Sequence, residues 1–165
     1  MTPSRGEPDV RVKLSLLDRL CDDDTDSSSD RPMSRYQSIR QLKASLVRDM
    51  SALLNTKRRE NEVPDEFVEL NQSLLAYGLP DFTSYALRSP MEQNRLRREV
   101  EATIRRFEPR LLGVTVHLEA RGEFDSGVRF RVDAQLKMEP EPEPVRFDTI
   151  LEVDTSHFSI ASENR

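Results

Sequence analysis

Few side chains in this 165-residue chain combine the type and spacing that chemistry requires. The clearest group is Glu108-Pro109-Arg110, which sets a carboxylate and a guanidinium on either side of a residue with no backbone donor. A carboxyl group near the middle of a chain could protonate a glycosidic oxygen, provided an apolar pocket raises its pKa and a second carboxylate faces it. The neighbours of Glu108 are instead Arg105, Arg106 and Arg110, which favour the ionised form. The sequence singles out no second carboxylate, and it has no Trp to build a sugar platform. Glu108, Pro109 and Arg110 are therefore assigned to protein contact, with Glu108 orienting Arg110 or meeting a partner's cation.

The other candidates fall away in turn. The two histidines are His117 and His157; His117 lies on the outward phase of a strand pattern and is read as a lone surface histidine. Cys21 adjoins Asp22-Asp-Asp24, whose charge raises a thiol pKa rather than lowering it. Asp22, Asp23, Asp24 and Asp26 lack the turn glycine and the terminal Glu of a calcium loop. There is no phosphate-binding glycine loop, no CxxC and no HExxH. The expectation is a chain with no catalytic residue, no cofactor and no metal site.

Composition narrows the class further. The chain is 36% hydrophobic and 33% charged, with net charge -5, which argues against a nucleic-acid partner. A single cysteine excludes an internal disulfide framework and fits a reducing compartment. The first ten residues hold no signal-peptide core, and no run approaches the ~18 apolar residues that span a bilayer. A cytoplasmic chain without direct membrane insertion is expected.

Two helices and a small sheet must position the Glu-Pro-Arg turn. From Ser34, a plausible cap, Tyr36, Ile39, Leu42, Leu46, Val47, Met50, Leu53 and Leu54 recur at three- and four-residue steps as far as Asn55. The Lys57-Arg58-Arg59 cluster beyond it is read as a cationic helix end. One or two short turns follow through Leu75, then Gly78 and Pro80 as breakers. Ser89-Pro90-Met91-Glu92 has the form of a capping box. It opens a helix whose buried stripe is Leu96, Val100, Thr103, Ile104 and Phe107. Arg95, Arg97, Arg98, Arg105 and Arg106 form its outer face, with Glu92, Glu99 and Glu101 as partial partners.

Alternating residues then predict strands at Val114–Ala120, Val128–Met138 and Val145–Val153, with a short fourth at His157–Ile160. A loop at Arg121–Gly127 and an exposed Glu-Pro repeat at 139–144 join them. The fold class is α+β: two main helices plus short helices packed on a small three- or four-stranded antiparallel sheet. The domain plan is a flexible region 1–33 with a short amphipathic segment at Val10–Leu20, a domain 34–160, and a tail 161–165.

Five segments in order, Leu14–Leu20, Leu46–Arg59, Ser73–Phe82, Ile104–Leu111 and Val145–Thr149, resemble the TssE family of type VI secretion baseplate subunits. That family is related to a contractile-phage baseplate wedge protein and carries a lysozyme-like label. The resemblance implies a structural subunit that joins baseplate components and initiates the contractile sheath. The implied partners are other baseplate wedge subunits, contractile sheath subunits and the baseplate-to-membrane-complex connector, at the inner face of the cytoplasmic membrane. It ties Glu108, Pro109 and Arg110 to assembly contacts.

Strand addition by a sheath subunit would use a free sheet edge, for which Val145–Val153 is expected, since the Glu-Pro connector frees it from tight hairpin pairing. Arg110→Ala is expected to stop sheath assembly and spare the fold. The alternatives are a peptidoglycan-cleaving lysozyme-like hydrolase acting through Glu108 and an RNA-binding adaptor acting through the Arg95–Arg106 face.

Overall fold

The computed structural model describes residues 35–59, 64, 66–83, 86–87, 89–119, 127–139 and 141–162. The Val10–Leu20 segment, Cys21, the Asp-rich stretch, the Ser34 cap and the 121–126 loop lie outside the described residues. Helix α1 spans Arg35–Asn55, α2 is the short Val68–Asn71, a 3₁₀ turn covers Leu74–Ala76, and α3 spans Pro90–Phe107. Four strands follow: β1 Leu111–Leu118, β2 Val128–Leu136, β3 Glu143–Glu152 and β4 His157–Ser162. They form one antiparallel sheet in the order β1-β2-β3-β4. The arrangement is α+β, with α3 against β1 and α1 against β4.

The periodicities explain the layers. Along β2, Val128, Phe130, Val132, Ala134 and Leu136 are buried, while Arg129, Arg131 and Asp133 face outward. The helices supply Leu42, Leu46, Met50 and Leu54 from α1 and Leu96, Val100 and Ile104 from α3. Phe158 of β4 sits between the rings of Phe82 and Phe130, at centroid distances of 5.7 and 6.2 Å. Two assignments change. Tyr36, placed on the α1 stripe by its spacing, is 75% exposed, and Ser38 and Ser45 are buried on that helix instead. Ser89 caps α3 through its carbonyl, which accepts from Gln93 N, and its hydroxyl makes no capping bond.

The edge assignment is overturned. β3 pairs with β2 from Val128↔Leu151 to Leu136↔Glu143 and with β4 on its other side, so it is an interior strand. The ladder runs into the Glu-Pro repeat: Pro144 sits opposite Gln135. Alternation aims the donor-less nitrogen of Pro144 away from β2, so the β2–β3 ladder loses no bond there. The edges are β1 and β4.

Candidate protein-contact site

The Glu-Pro-Arg turn is built by the end of α3. Glu108 N donates to Ile104 O at 2.9 Å as the helix cap, and Leu111 N donates back to Glu108 O at 3.1 Å. Pro109, with no donor to place, stands exposed between them. Lys137 N donates to Arg110 O at 2.8 Å, which ties the turn to the end of β2. Just beyond it, the β1–β2 register slips between Leu112 and Thr115, and Gly113 takes φ +61. This bulge turns Leu111 and Val114 both inward and leaves Leu112 and Gly113 exposed.

Glu108 is 5% exposed, a buried carboxylate. Arg110 grips it in two-point fashion, Nε to Oε1 and Nη2 to Oε2, each at 2.6 Å. The same guanidinium reaches α1, with Nη2 to Asp49 Oδ2 at 2.7 Å and Nη1 to Ser45 Oγ at 3.4 Å. Above all the hydrogen bond to Glu108, and then that to Asp49, holds Arg110 firmly charged. The turn is thus clamped to α1 through one cation shared by two carboxylates. A groove of about 340 Å³ opens beside the clamp, lined by Asp49, Leu53, Tyr77, Phe107, Glu108, Pro109 and Arg110. The Tyr77 and Phe107 rings meet edge-on at 5.3 Å. Burial, then the charges of Asp49 and Glu108, pushes the Tyr77 hydroxyl above its usual range.

The structure therefore brings Glu108, Pro109 and Arg110 together and adds Ser45, Asp49 and Tyr77, which sequence reasoning missed. Ser45 and Asp49 lie one turn apart on α1, outside its apolar stripe; only the guanidinium's reach reveals them. Asp49 is also the second carboxylate that the sequence did not single out. Both carboxylates nevertheless serve as acceptors for Arg110, so the pair is bridged rather than poised around a substrate. Removing Arg110 would leave Glu108 buried without a counter-charge. Arg110→Ala is consequently expected to destabilise the fold by about 2–4 kcal/mol, the upper part of the buried-pair range being lost to partial exposure.

The remaining candidates resolve locally. His117 Nε2 lies 3.6 Å from Asp133 on the outer sheet face, beside Arg131 and Arg146, which bind the same carboxylate. Lys57 and Arg58 follow the end of α1 and meet Asp81 and Glu99, while Arg58 N donates to Leu79 O. Leu79 N donates to Thr56 O at 2.9 Å, and Gly78, at φ +96, approaches that same oxygen so closely that an added Cβ would sit 2.2 Å from it.

The arginine face of α3 is partly inward-looking. Arg105 donates to Val114 O at 2.6 and 2.9 Å, and Arg97 donates to Val116 O at 3.1 Å. Glu101 between them pairs with both and accepts from Val116 N at 3.0 Å. Among the described residues no group of three or more His, Cys, Asp or Glu side chains is arranged to hold a metal ion. No helix described is long and apolar enough to cross a membrane.

The sequence model of one protein family, described as Baseplate wedge protein gp25, matches residues 40–141. No curated protein and no solved structure gives a significant match.

Proposed function

The chain belongs to the family of baseplate wedge protein gp25, which is also the family of TssE, and from that premise we propose that it is a structural subunit of a type VI secretion baseplate wedge, joining baseplate components and starting the contractile sheath through protein–protein contacts. Its partners are the other wedge subunits, the sheath subunits and the baseplate-to-membrane-complex connector. Assembly holds it at the inner face of the cytoplasmic membrane.

The observation that carries the sheath contact is the outward edge of β4. Alternation turns the backbone N–H and C=O of Phe158, Ile160 and Ser162 away from β3. Asn55 occupies those of Phe158, and the outward groups of Ile160 and Ser162 have no partner among the described residues. A strand from a sheath subunit satisfies them by adding a fifth strand. The test is sheath assembly on a baseplate carrying Ile160→Pro, whose missing N–H faces away from β3. Loss of sheath with the wedge still co-purifying is expected; normal sheath growth would overturn the assignment.

The Glu108–Arg110 turn forms a second contact, on which another wedge subunit seats an apolar side chain in the groove beside exposed Pro109. Because Arg110→Ala is expected to disturb folding, the informative change is the paired Glu108→Gln/Arg110→Gln, which leaves no lone buried charge. This variant is expected to fold and to lose wedge co-purification. A hydrolase finds less support here, since both Glu108 oxygens already accept from Arg110. Clearing of cell-wall suspensions by purified protein, abolished by Glu108→Gln, would reverse that judgement.

A further inference from the structure

Among the described residues, most large exposed apolar side chains stand close together in one stretch. Phe67, Val68, Leu70, Leu74 and Leu75 are 51%, 58%, 38%, 85% and 53% exposed, whereas Tyr36, Met91 and Leu112 are isolated in sequence. Helix α2, within this stretch, has no buried residue. A helix this short gains little from its own hydrogen bonds and ordinarily depends on burying a face. The stretch is nevertheless held at its C-terminal end: Ala76 and Leu79 are buried, and Leu79 pairs with the chain leaving α1. Contiguous exposed apolar side chains on an anchored base mark an interaction surface.

Two observations specify what covers it. First, much of the backbone here is bonded within the stretch itself. Asn71 N donates to Phe67 O, Gln72 N to Val68 O, Ser73 N to Leu70 O, Ala76 N to Ser73 O and Tyr77 N to Leu74 O. The surface offers side chains and no ladder, so an incoming strand would leave its own N–H and C=O groups without partners. A helix arrives with its backbone bonded internally and needs only an apolar face. Second, the rim is acidic. Glu66 and Glu69 are exposed, and neither carboxylate has a hydrogen bond or ion pair among the described residues. Unpaired carboxylates beside an apolar face complement Lys or Arg on the flank of the incoming element.

We propose that residues 66–75 form a docking surface for an amphipathic helix with cationic flanks, contributed by another baseplate component. The helix lays apolar residues spaced by three and four positions over Phe67, Leu70 and Leu74, and its Lys or Arg side chains meet Glu66 and Glu69. This surface is separate from the β4 edge and the Glu108–Arg110 groove. The proposal rests on the baseplate reading for the source of the helix.

The test compares the isolated full chain with the assembled, purified wedge by amide hydrogen exchange, followed by zero-length carboxyl-to-amine coupling and peptide mapping. Amides 66–76 are expected to slow at least about tenfold on assembly, with Glu66 or Glu69 coupled to a lysine in a helical peptide of another subunit. Leu74→Asp, at the most exposed site, is expected to weaken retention of that subunit about thirtyfold or more, the scale of an interface hot spot, with unchanged melting of the isolated chain. Glu66→Lys with Glu69→Lys should weaken it in a salt-dependent way. An intact wedge in which 66–76 exchanges as in the isolated chain would overturn the proposal and leave the baseplate reading standing. Coupling to a second copy of this chain, or to its own residues 10–20, would overturn it equally. Failure to assemble with any baseplate component would remove the baseplate reading itself.

Discussion

Along β1, the outward oxygens of Val114 and Val116 accept from Arg105 and Arg97, and the outward N–H of Val116 donates to Glu101. Along β4, among the described residues, the outward groups of Phe158 alone are engaged, by the side-chain amide of Asn55. The two strands face the same problem, because each ends a sheet and presents ladder groups with no neighbouring strand. Their helices meet it differently. Helix α3 carries Arg97, Glu101 and Arg105 one turn apart, and the two arginines lean onto the central carboxylate while reaching the strand. Helix α1 ends at Asn55, so its single amide serves β4 once, near the start of the strand. The same amphipathic logic thus yields one edge whose outward groups are bonded over Val114–Val116 and one whose outward groups beyond Phe158 are unbonded among the described residues. What distinguishes them is the polar row on the helix alongside, which neither strand's own sequence reveals.

The largest effect that would break this comparison comes from proline placed in β3 against β4. Alternation directs Thr149 N–H towards β2, opposite Phe130, inside the sheet. Thr149→Pro is therefore expected to cost more than about 3 kcal/mol and abolish cooperative thermal unfolding. Ile160→Pro, opposite Thr149 but with its nitrogen turned outward, should keep the circular dichroism spectrum and melt within a few degrees of the parent. If the two variants behaved alike, the distinction between interior strand and open edge would fail.

Strand alternation and helical spacing made most of this architecture legible, down to α3 ending before Glu108 and the short β4. Residues that break their own pattern hid the rest. The bulge in β1 depends on Gly113 at positive φ, and a pattern read from Val114 onward cannot show that Leu111 is also inward. Pro144 suggested a free connector because proline has no donor, yet its nitrogen points away from β2, whose ladder needs no donor there. In the candidate contact site, Glu108-Pro109-Arg110 was visible because its residues are consecutive. Ser45 and Asp49 were not, because they join it only through a guanidinium from a distant part of the chain.

Two intermediate changes sharpen the contrast between edges. Glu101→Ala removes the acceptor of Val116 N–H and the common partner of Arg97 and Arg105. A loss of about 2–3 kcal/mol is expected by chemical denaturation, since charge-assisted bonds are worth about 1.5–3 kcal/mol each but these are partly exposed. Sedimentation should also show new self-association, because a second edge is unsealed. Asn55→Ala loses two bonds to Phe158, at 3.0 and 2.8 Å, and should cost about 1–2 kcal/mol. It lengthens the open run on β4, so sheath recruitment should persist. A failure of recruitment with the fold intact would mean that Asn55 belongs to the proposed docking edge rather than limiting it.

The smallest effect lies between the edges and has the opposite sign. Thr149 is 1% exposed, on the inward face of β3 between Phe147 and Leu151, and its hydroxyl is a buried side-chain oxygen without a hydrogen-bond partner among the described residues. A buried hydroxyl left unpaired opposes folding, and valine fills nearly the same shape without it. Thr149→Val is expected to gain up to about 1 kcal/mol, read as a rise of a few degrees in melting temperature. Because the change keeps the backbone N–H that Thr149→Pro deletes, the pair separates what the interior strand owes to its ladder from what it owes to its side chain. Sheath recruitment should be unchanged, since nothing at the β4 edge is altered. A destabilised Thr149→Val protein would instead reveal a partner for that hydroxyl, and would place a polar requirement inside the sheet that the two edges do not share.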